Sequence, residues 1–188
     1  MKKSLLFVFF AVFMLTTSQS QEVRFGAKLG LNVSKVGGDT DMGDFGLKSG
    51  FHIGGLAEIS FSEKFALQPE LLYSSEVYEF GSILTSVDVK ASYIRLPILA
   101  KYYIIDKLSA EAGPSFGTLM SAKVKDEDVK DGFSSFDTAI ALGASYHLDM
   151  GLFFSLRYNL GLTNINDVEG SNVKNQGNTF HVSAGYFF

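Results

Sequence analysis

Apolar and polar residues alternate one by one in eight successive segments of this chain. In residues 23–33 every odd position is apolar, whereas the even positions carry arginine, glycine, lysine and asparagine. Alternation with a period of two residues is typical of a β-strand whose two faces meet different surroundings. The pattern recurs in residues 50–61, 65–78, 91–104, 108–121, 136–148, 152–163 and 179–188. These segments predict an all-β fold of eight strands.

The connections between the predicted strands alternate between short and long. The short connections are residues 62–64, 105–107 and 149–151. The longer, more polar connections are residues 35–49, 79–90, 122–135 and 164–178. Short turns on one rim and long loops on the other are typical of an antiparallel up-and-down transmembrane β-barrel of the outer-membrane type. An even number of strands places both termini on the short-turn rim, which we expect to face the periplasm.

The N-terminal segment has the pattern of an export signal. Lys2 and Lys3 precede an uncharged apolar run of 11 residues, 5–15. A helix needs about 20 apolar residues to cross a membrane, so this run is too short to anchor the chain. Ser18 and Ser20 place small residues before a cleavage site. We predict a cleaved signal peptide over residues 1–20 and one outer-membrane β-barrel domain over residues 21–188.

The composition of the two strand faces indicates which face contacts lipid. The polar faces hold glycines and a nearly balanced set of charges, as expected where side chains share one interior. The apolar faces are aromatic near the strand ends, which is typical of the girdles of a lipid-facing band. We therefore predict a structural charge network inside the barrel. Its predicted members are Arg24, Lys28, Glu58, Glu70, Arg95, Lys101, Glu111, Asp137 and Arg157.

Each of these charges should have an opposite partner, because an isolated buried charge is very unfavourable. We expect Glu70 to pair with Arg95, since both lie near the middle of adjacent predicted strands. Glu111 is the expected partner of Lys101, because both lie close to the turn at residues 105–107.

Four short sequences, in this order, resemble a known family. They are FALQPELLYS at residues 65–74, YIRLPILAKY at 93–102, AGPSFG at 112–117 and RYNLGLTN at 157–164. Together they resemble the PorT-like outer-membrane β-barrels common in Bacteroidetes, and the likeness extends over residues 21–188. The resemblance implies an eight-stranded outer-membrane barrel. It implies no particular biochemical activity.

The chain ends in an aromatic sequence, Tyr186-Phe187-Phe188. A terminal aromatic residue preceded by alternating apolar residues resembles the signal that the outer-membrane assembly machinery reads. Tyr186 and Phe188 are therefore the predicted C-terminal assembly signal.

The residue types needed for catalysis are few. The candidate bases are His52, His147 and His181, and the candidate hydroxyl partners are Ser74 and Ser183, with no motif that connects them. A hydrolase needs a nucleophile, a base and an orienting group within hydrogen-bond reach of one another. We therefore expect no catalytic residues, although a lipid-active enzyme stays open as an alternative.

Composition limits cofactors and partners. The chain has no cysteine, which excludes disulfides and thiolate metal sites. The chain has sixteen Lys and Arg residues and twenty Asp and Glu residues, so no polybasic nucleic-acid surface is expected. Asp39, Asp41 and Asp44 lack the spacing and the final glutamate of a calcium loop. We expect no cofactor and no metal site.

These observations predict an integral outer-membrane barrel with a lumen filled by side chains. Eight strands enclose an interior just wide enough for side chains to fill. The expected role is structural or in interaction at the cell surface, and the expected partners are outer-membrane lipid and lipopolysaccharide. A small-solute pore and a secreted lipocalin-like ligand binder, whose apolar face would line a cavity, remain as alternatives.

Overall fold

The computed structural model describes residues 22–38, 48–82, 85–125, 127–164 and 175–188. The predicted signal peptide and the acidic residues Asp39, Asp41 and Asp44 lie outside the described residues. The strands are β1 (Glu22–Gly38), β2 (Lys48–Ser60), β3 (Phe65–Ser82), β4 (Thr85–Ile105), β5 (Leu108–Val124), β6 (Glu127–Asp128), β7 (Phe136–His147), β8 (Leu152–Gly161) and β9 (Asn175–Phe187). A 3₁₀ turn occupies Lys130–Gly132.

Eight long strands close into a barrel, as the alternation predicts. Each long strand pairs antiparallel with its neighbours, β1 pairs with both β2 and β9, and a β4–β5 pairing completes the ring. The two-residue strand β6 pairs only with the end of β5. Closure gives every long strand a hydrogen-bonded neighbour on both sides, which a chain surrounded by lipid requires. No helix within the described part of the chain is long and apolar enough to cross a membrane.

The two faces of the sheet differ as predicted. Large apolar side chains cover the outside; Leu29 and Leu31, for example, are 63% and 62% exposed. Aromatic side chains mark both ends of this band, with Phe25, Phe65, Tyr146 and Phe154 at one end. The inside is polar and buried. A soluble lipocalin has the opposite arrangement, with the apolar face inward, so the described strands contradict that alternative.

The short connections between strands all lie at one end of the barrel. Residues 61–64, 106–107 and 148–151 make short connections at one end, here called the turn rim; the opposite end is called the loop rim. At the turn rim the Lys107 ammonium lies 2.6 Å from the Asp149 carboxylate. That hydrogen bond and charge raise the pKa of Lys107 above its ordinary value.

The strands extend further toward the loop rim than predicted. The expected loop 79–90 is largely sheet, because β3 continues to Ser82 and β4 begins at Thr85. The expected loop 122–135 likewise contains the end of β5, β6 and the 3₁₀ turn, and β9 begins inside the expected loop 164–178. The physical reason is that backbone pairing continues beyond the apolar band, where the outer face no longer has to be apolar. Glu79, for example, is paired with Asp88 across β3 and β4.

A β-bulge in β5 reverses the orientation of its final residues. The register shifts between Ser92 and Tyr93 of β4, whose partners are Ser121 and Leu119, so Met120 is the extra residue. Strict alternation predicts that Ser121 faces the lumen, and this prediction is wrong. Ser121 is half-buried on the outer face, whereas Ala122 is fully buried.

Apolar clusters lie at both ends of the polar interior. At the loop rim the buried cluster consists of Tyr78, Val89, Ala91, Tyr93, Leu119 and Ala122, with Val124, Val129 and Phe133 packed against it. At the turn rim Leu56, Phe153 and Phe187 form the second cluster. Lys28, Glu70, Glu76, Glu111 and Arg157 therefore lie between two layers of apolar packing, whereas Arg24 and Glu58 lie nearer the turn rim than Leu56 and Phe187.

Candidate functional site

Among the described residues, the interior of the barrel contains ten charged side chains of balanced sign. Nine are the residues predicted to form the charge network, and the tenth is Glu76, which is fully buried. Five cations therefore face five carboxylates. The side chains form three groups along the lumen. The turn-side cluster is Arg24, Glu58 and Lys101, the central cluster is Lys28, Glu70, Glu111 and Arg157, and the loop-side cluster is Glu76, Arg95 and Asp137.

The central cluster is organised by the Arg157 guanidinium. Its Nη1 and Nη2 each donate to the Glu70 carboxylate at 2.8 Å, and its Nε donates to Glu111 Oε1 at 2.8 Å. Lys28 Nζ lies 2.7 Å from Glu70 Oε2. All four side chains are buried. These contacts connect β1, β3, β5 and β8 across the interior, so the cluster occupies the middle of the lumen.

The loop-side cluster is organised by Arg95. Its Nε and Nη2 donate to Glu76 at 2.7 and 2.9 Å, and its Nη1 donates to Asp137 Oδ2 at 2.6 Å. The Tyr78 hydroxyl also donates to Glu76. Gly117 leaves room for this arrangement, because a Cβ there would lie 2.9 Å from Arg95 Nη1.

The prediction that Glu70 pairs with Arg95 is therefore wrong. Arg95 lies opposite Leu72 in the β3–β4 register, and its guanidinium extends to Glu76 on the loop side. Glu70 is already bound by Lys28 and Arg157. The sequence places Glu76 on the polar face of its strand, and the balance of charge is the signal that could have added it to the network.

The turn-side cluster surrounds the Glu58 carboxylate. Lys101 Nζ donates to Glu58 Oε2 at 2.7 Å, the Tyr103 hydroxyl donates to Oε1 at 2.7 Å, and Arg24 Nη2 donates to Oε1 at 2.5 Å. The prediction that Glu111 pairs with Lys101 is also wrong. The two residues are opposite each other in the β4–β5 register, but Glu111 binds Arg157 and Lys101 binds Glu58.

A Ser–His–Asn arrangement lies between the central and loop-side clusters. His52 Nδ1 is 2.6 Å from Asn32 Oδ1, and His52 Nε2 is 2.8 Å from Ser183 Oγ. Asn32 Nδ2 donates to the carbonyl oxygens of Phe51 and Ser75 and to Ser74 Oγ, which fixes its oxygen toward the histidine. His52 Nδ1 therefore carries the proton, and the Ser183 hydroxyl donates to Nε2.

These distances suit a nucleophile, a base and an orienting group, but the surroundings do not suit a substrate. Ser183 is 3% exposed, and Asn32 and His52 are buried as well. The His181 ring stacks on His52 with centroids 4.6 Å apart. A lipid ester on the outer surface cannot reach Ser183 Oγ in this packing. Asn32 was absent from the sequence-based candidates, because only the barrel's register brings it beside His52.

His147, the third candidate base, contacts the turn-side cluster instead. Lys101 Nζ lies 3.1 Å from His147 Nε2, and the ring packs beside Phe153 and Phe187. Within the described residues, no group of three or more histidine, aspartate and glutamate side chains is arranged to hold a metal ion.

The residues of the predicted assembly signal lie on the outer face of the last strand. Tyr186 is 47% exposed and Phe188 is 82% exposed. The Phe188 amide donates to the Phe25 carbonyl oxygen at 2.9 Å, which holds the end of the chain against β1. Their recognition by an assembly machinery stays a prediction.

The barrel resembles outer-membrane proteins of known structure. The crystal structure of Ail, the attachment invasion locus protein of Yersinia pestis, is 14% identical, with 89% of this chain and 99% of that chain covered at a TM-score of 0.54. Ail in complex with the heparin analogue sucrose octasulfate gives 15% identity, the same coverage and a TM-score of 0.53. Ail in a phospholipid bilayer nanodisc gives 15% identity and a TM-score of 0.50, with 89% and 100% covered.

No curated protein matches this sequence. The structural likenesses, at such low identity, show the shared barrel fold. The sequence itself matches the family described as "Outer membrane protein beta-barrel domain" over residues 17–167, which is most of the chain. Together with the closed barrel and its apolar outer band, this match assigns the protein to the bacterial outer membrane. The chain belongs to the outer membrane protein beta-barrel domain family.

Proposed function

We propose that this protein is a non-catalytic outer-membrane barrel with a filled lumen, which acts structurally or in interaction at the cell surface. The observation that carries the proposal is the buried ion-pair network. Arg157, for example, connects carboxylates of two other strands through the centre of the lumen. Eight strands leave an interior that side chains can fill completely. The conductance of the barrel, measured in a planar bilayer, tests this proposal.

A small-solute pore is the second candidate. It would require a continuous aqueous path past the three charged clusters and both apolar clusters. The described residues give it little support, because Lys28, Glu70, Glu76 and Lys101 are at most 2% exposed. A lipid-active enzyme has little support either, because Ser183 lies inside the lumen rather than on the lipid-facing surface.

The shape of the loop rim supports the surface role. Strands β3 and β4 have 18 and 21 residues, whereas β1 and β5 have 17 each and β8 has 10. One side of the barrel therefore projects beyond the apolar band and exposes a polar sheet. Ail, whose fold this chain shares, is the attachment invasion locus protein of Yersinia pestis and has been solved in complex with a heparin analogue. We extend only the general idea of a surface contact to this chain.

The same proposal includes the finer features expected from the sequence. Residues 1–20 are a cleaved signal peptide, residues 21–188 form the mature domain, and both termini face the periplasm. The assembly machinery reads Tyr186 and Phe188 in the last strand, and the chain belongs to the PorT-like branch found in Bacteroidetes. Lipopolysaccharide and outer-membrane lipid surround the barrel.

Single cysteines report the orientation, because the natural chain has none. Asp131 at the loop rim and Glu63 at the turn rim are both exposed. We expect a membrane-impermeant maleimide to label Asp131→Cys on intact cells, and to label Glu63→Cys only after the outer membrane is permeabilised. The opposite labelling pattern would contradict the proposed orientation. Equal labelling after permeabilisation provides the control for the reactivity of the two thiols.

A further inference from the structure

Two lysines of the projecting sheet lie directly opposite each other on its outer face. Lys90 of β4 and Lys123 of β5 are register partners, and both are exposed. Neither makes an ion pair with a carboxylate of the described residues. Like charges directly opposite in a sheet are destabilising. An arrangement of this kind therefore requires a reason beyond the packing of the barrel.

The bulge at Met120 creates this arrangement. The residues before it, such as Phe116 and Thr118, face outward at even positions, whereas Ser121 and Lys123 face outward after it. Without the extra residue, Lys123 would face the interior and Ala122 would face outward. Bulges commonly re-aim a side chain beside a functional site. Here the bulge brings a second ammonium group beside the first.

The nearby carboxylates leave the lysine pair available. Asp88, two residues from Lys90, lies 3.1 Å from Lys48 Nζ on β2. Asp128 is opposite Lys123 in the β5–β6 register, and its Oδ1 accepts a hydrogen bond from the Lys130 amide at 3.0 Å. Asp88 therefore has a cation of its own, and Asp128 makes no ion pair with Lys123 among the described residues.

The lysine pair lies at the edge of the lipid-facing band. One step toward the band, Ser92 and Ser121 form the next outward pair in the same register, and the Tyr73 hydroxyl donates to Ser92 Oγ at 3.0 Å. Beyond them, Ile94 and Met120 are apolar and exposed at 37% and 54%. From the loop rim toward the apolar band, the outer face therefore presents ammonium groups, then hydroxyls, then apolar side chains. The phosphate, linker and acyl chains of a lipid follow the same order.

We propose that Lys90 and Lys123 bind a phosphate group of the phosphorylated glycolipid of the outer leaflet. Two ammonium groups match the charge of a phosphate monoester, the neighbouring serine hydroxyls can donate to its oxygens, and the apolar band receives the acyl chains. This inference rests on the proposed orientation, in which the loop rim faces outward. It adds a specific lipid contact to the general surface role.

The test measures lipid binding to the purified barrel in phosphatidylcholine nanodiscs. Diphosphoryl lipid A is titrated into the discs, and native mass spectrometry counts the molecules bound to each barrel. We expect Lys90→Ala with Lys123→Ala to weaken binding roughly tenfold or more, as for the loss of two basic contacts to an anionic headgroup. Lys90→Arg with Lys123→Arg should bind as the wild type does. The matched control is Lys64→Ala, an exposed lysine at the turn rim, which should leave binding unchanged.

Three results would overturn the proposal. One is wild-type affinity in the double alanine variant. Another is equal affinity of the wild type for lipid A without phosphates. The third is equal affinity for phosphatidylglycerol, which would mean that any anionic headgroup suffices. Native folding of each variant is verified by its gel mobility with and without heating. The nanodisc assay does not depend on orientation in cells. Reversed cysteine labelling with intact lysine-dependent binding would therefore reject the orientation, and with it the outer-leaflet glycolipid as the occupant in cells, but not the phosphate site itself.

Discussion

Replacement of Arg157 by methionine should lower the free energy of unfolding by about 3–5 kcal/mol, because it leaves buried carboxylates without their main partner. Arg157 donates to both Glu70 and Glu111, and all three side chains are buried. Glu70 retains Lys28, but Glu111 loses its ion pair. Denaturant unfolding of the barrel in lipid vesicles measures the change.

Two further variants separate the buried charge from lost packing. Glu111→Gln combined with Arg157→Met should recover part of the loss, since the uncompensated charge is gone. Arg24→Met is the matched control, because the side chain of Arg24 is 36% exposed and Glu58 keeps Lys101 and Tyr103. We expect a clearly smaller loss for Arg24→Met. An Arg157→Met barrel within about 1 kcal/mol of the wild type would show that the lumen is hydrated rather than filled.

The substitution Leu29→Arg on the outer face should cost about 2–4 kcal/mol, because it places a charge near the bilayer midplane. Leu29 lies in the middle of β1 and is 63% exposed. Val23→Arg is the matched control on the same strand and face. Val23 lies at the turn rim, where the same charge should cost about 0–1 kcal/mol. Equal, small costs at both positions would mean that this face does not contact lipid.

The barrel could be predicted from the sequence because each strand shows the alternation of apolar and polar residues by itself. The faces of β1 and β9, for instance, follow directly from odd and even positions. Strand ends were less predictable, since β3 and β4 continue past the bilayer and their outer faces become polar there. The bulge at Met120 was not predictable from alternation, because one extra residue reverses the faces beyond it.

The pairing inside the lumen depends on register and on distances across the barrel. Glu70 and Arg95 are on adjacent strands, yet each binds partners from other strands as well. Arg157 reaches Glu70 from β8, a contact between strands that are not neighbours in the sheet. Sequence reasoning predicts which charges enter the lumen, but the stagger of the strands decides which of them meet.

The filled lumen is tested most directly by conductance in a planar lipid bilayer. The barrel is inserted at known density, and current is recorded for the wild type and for Arg95→Ala, which removes the cation of the loop-side cluster. The described packing predicts no steady conductance for the wild type, because charged and apolar clusters follow one another along the interior. A steady wild-type pore of defined size would contradict the filled lumen and favour a solute channel.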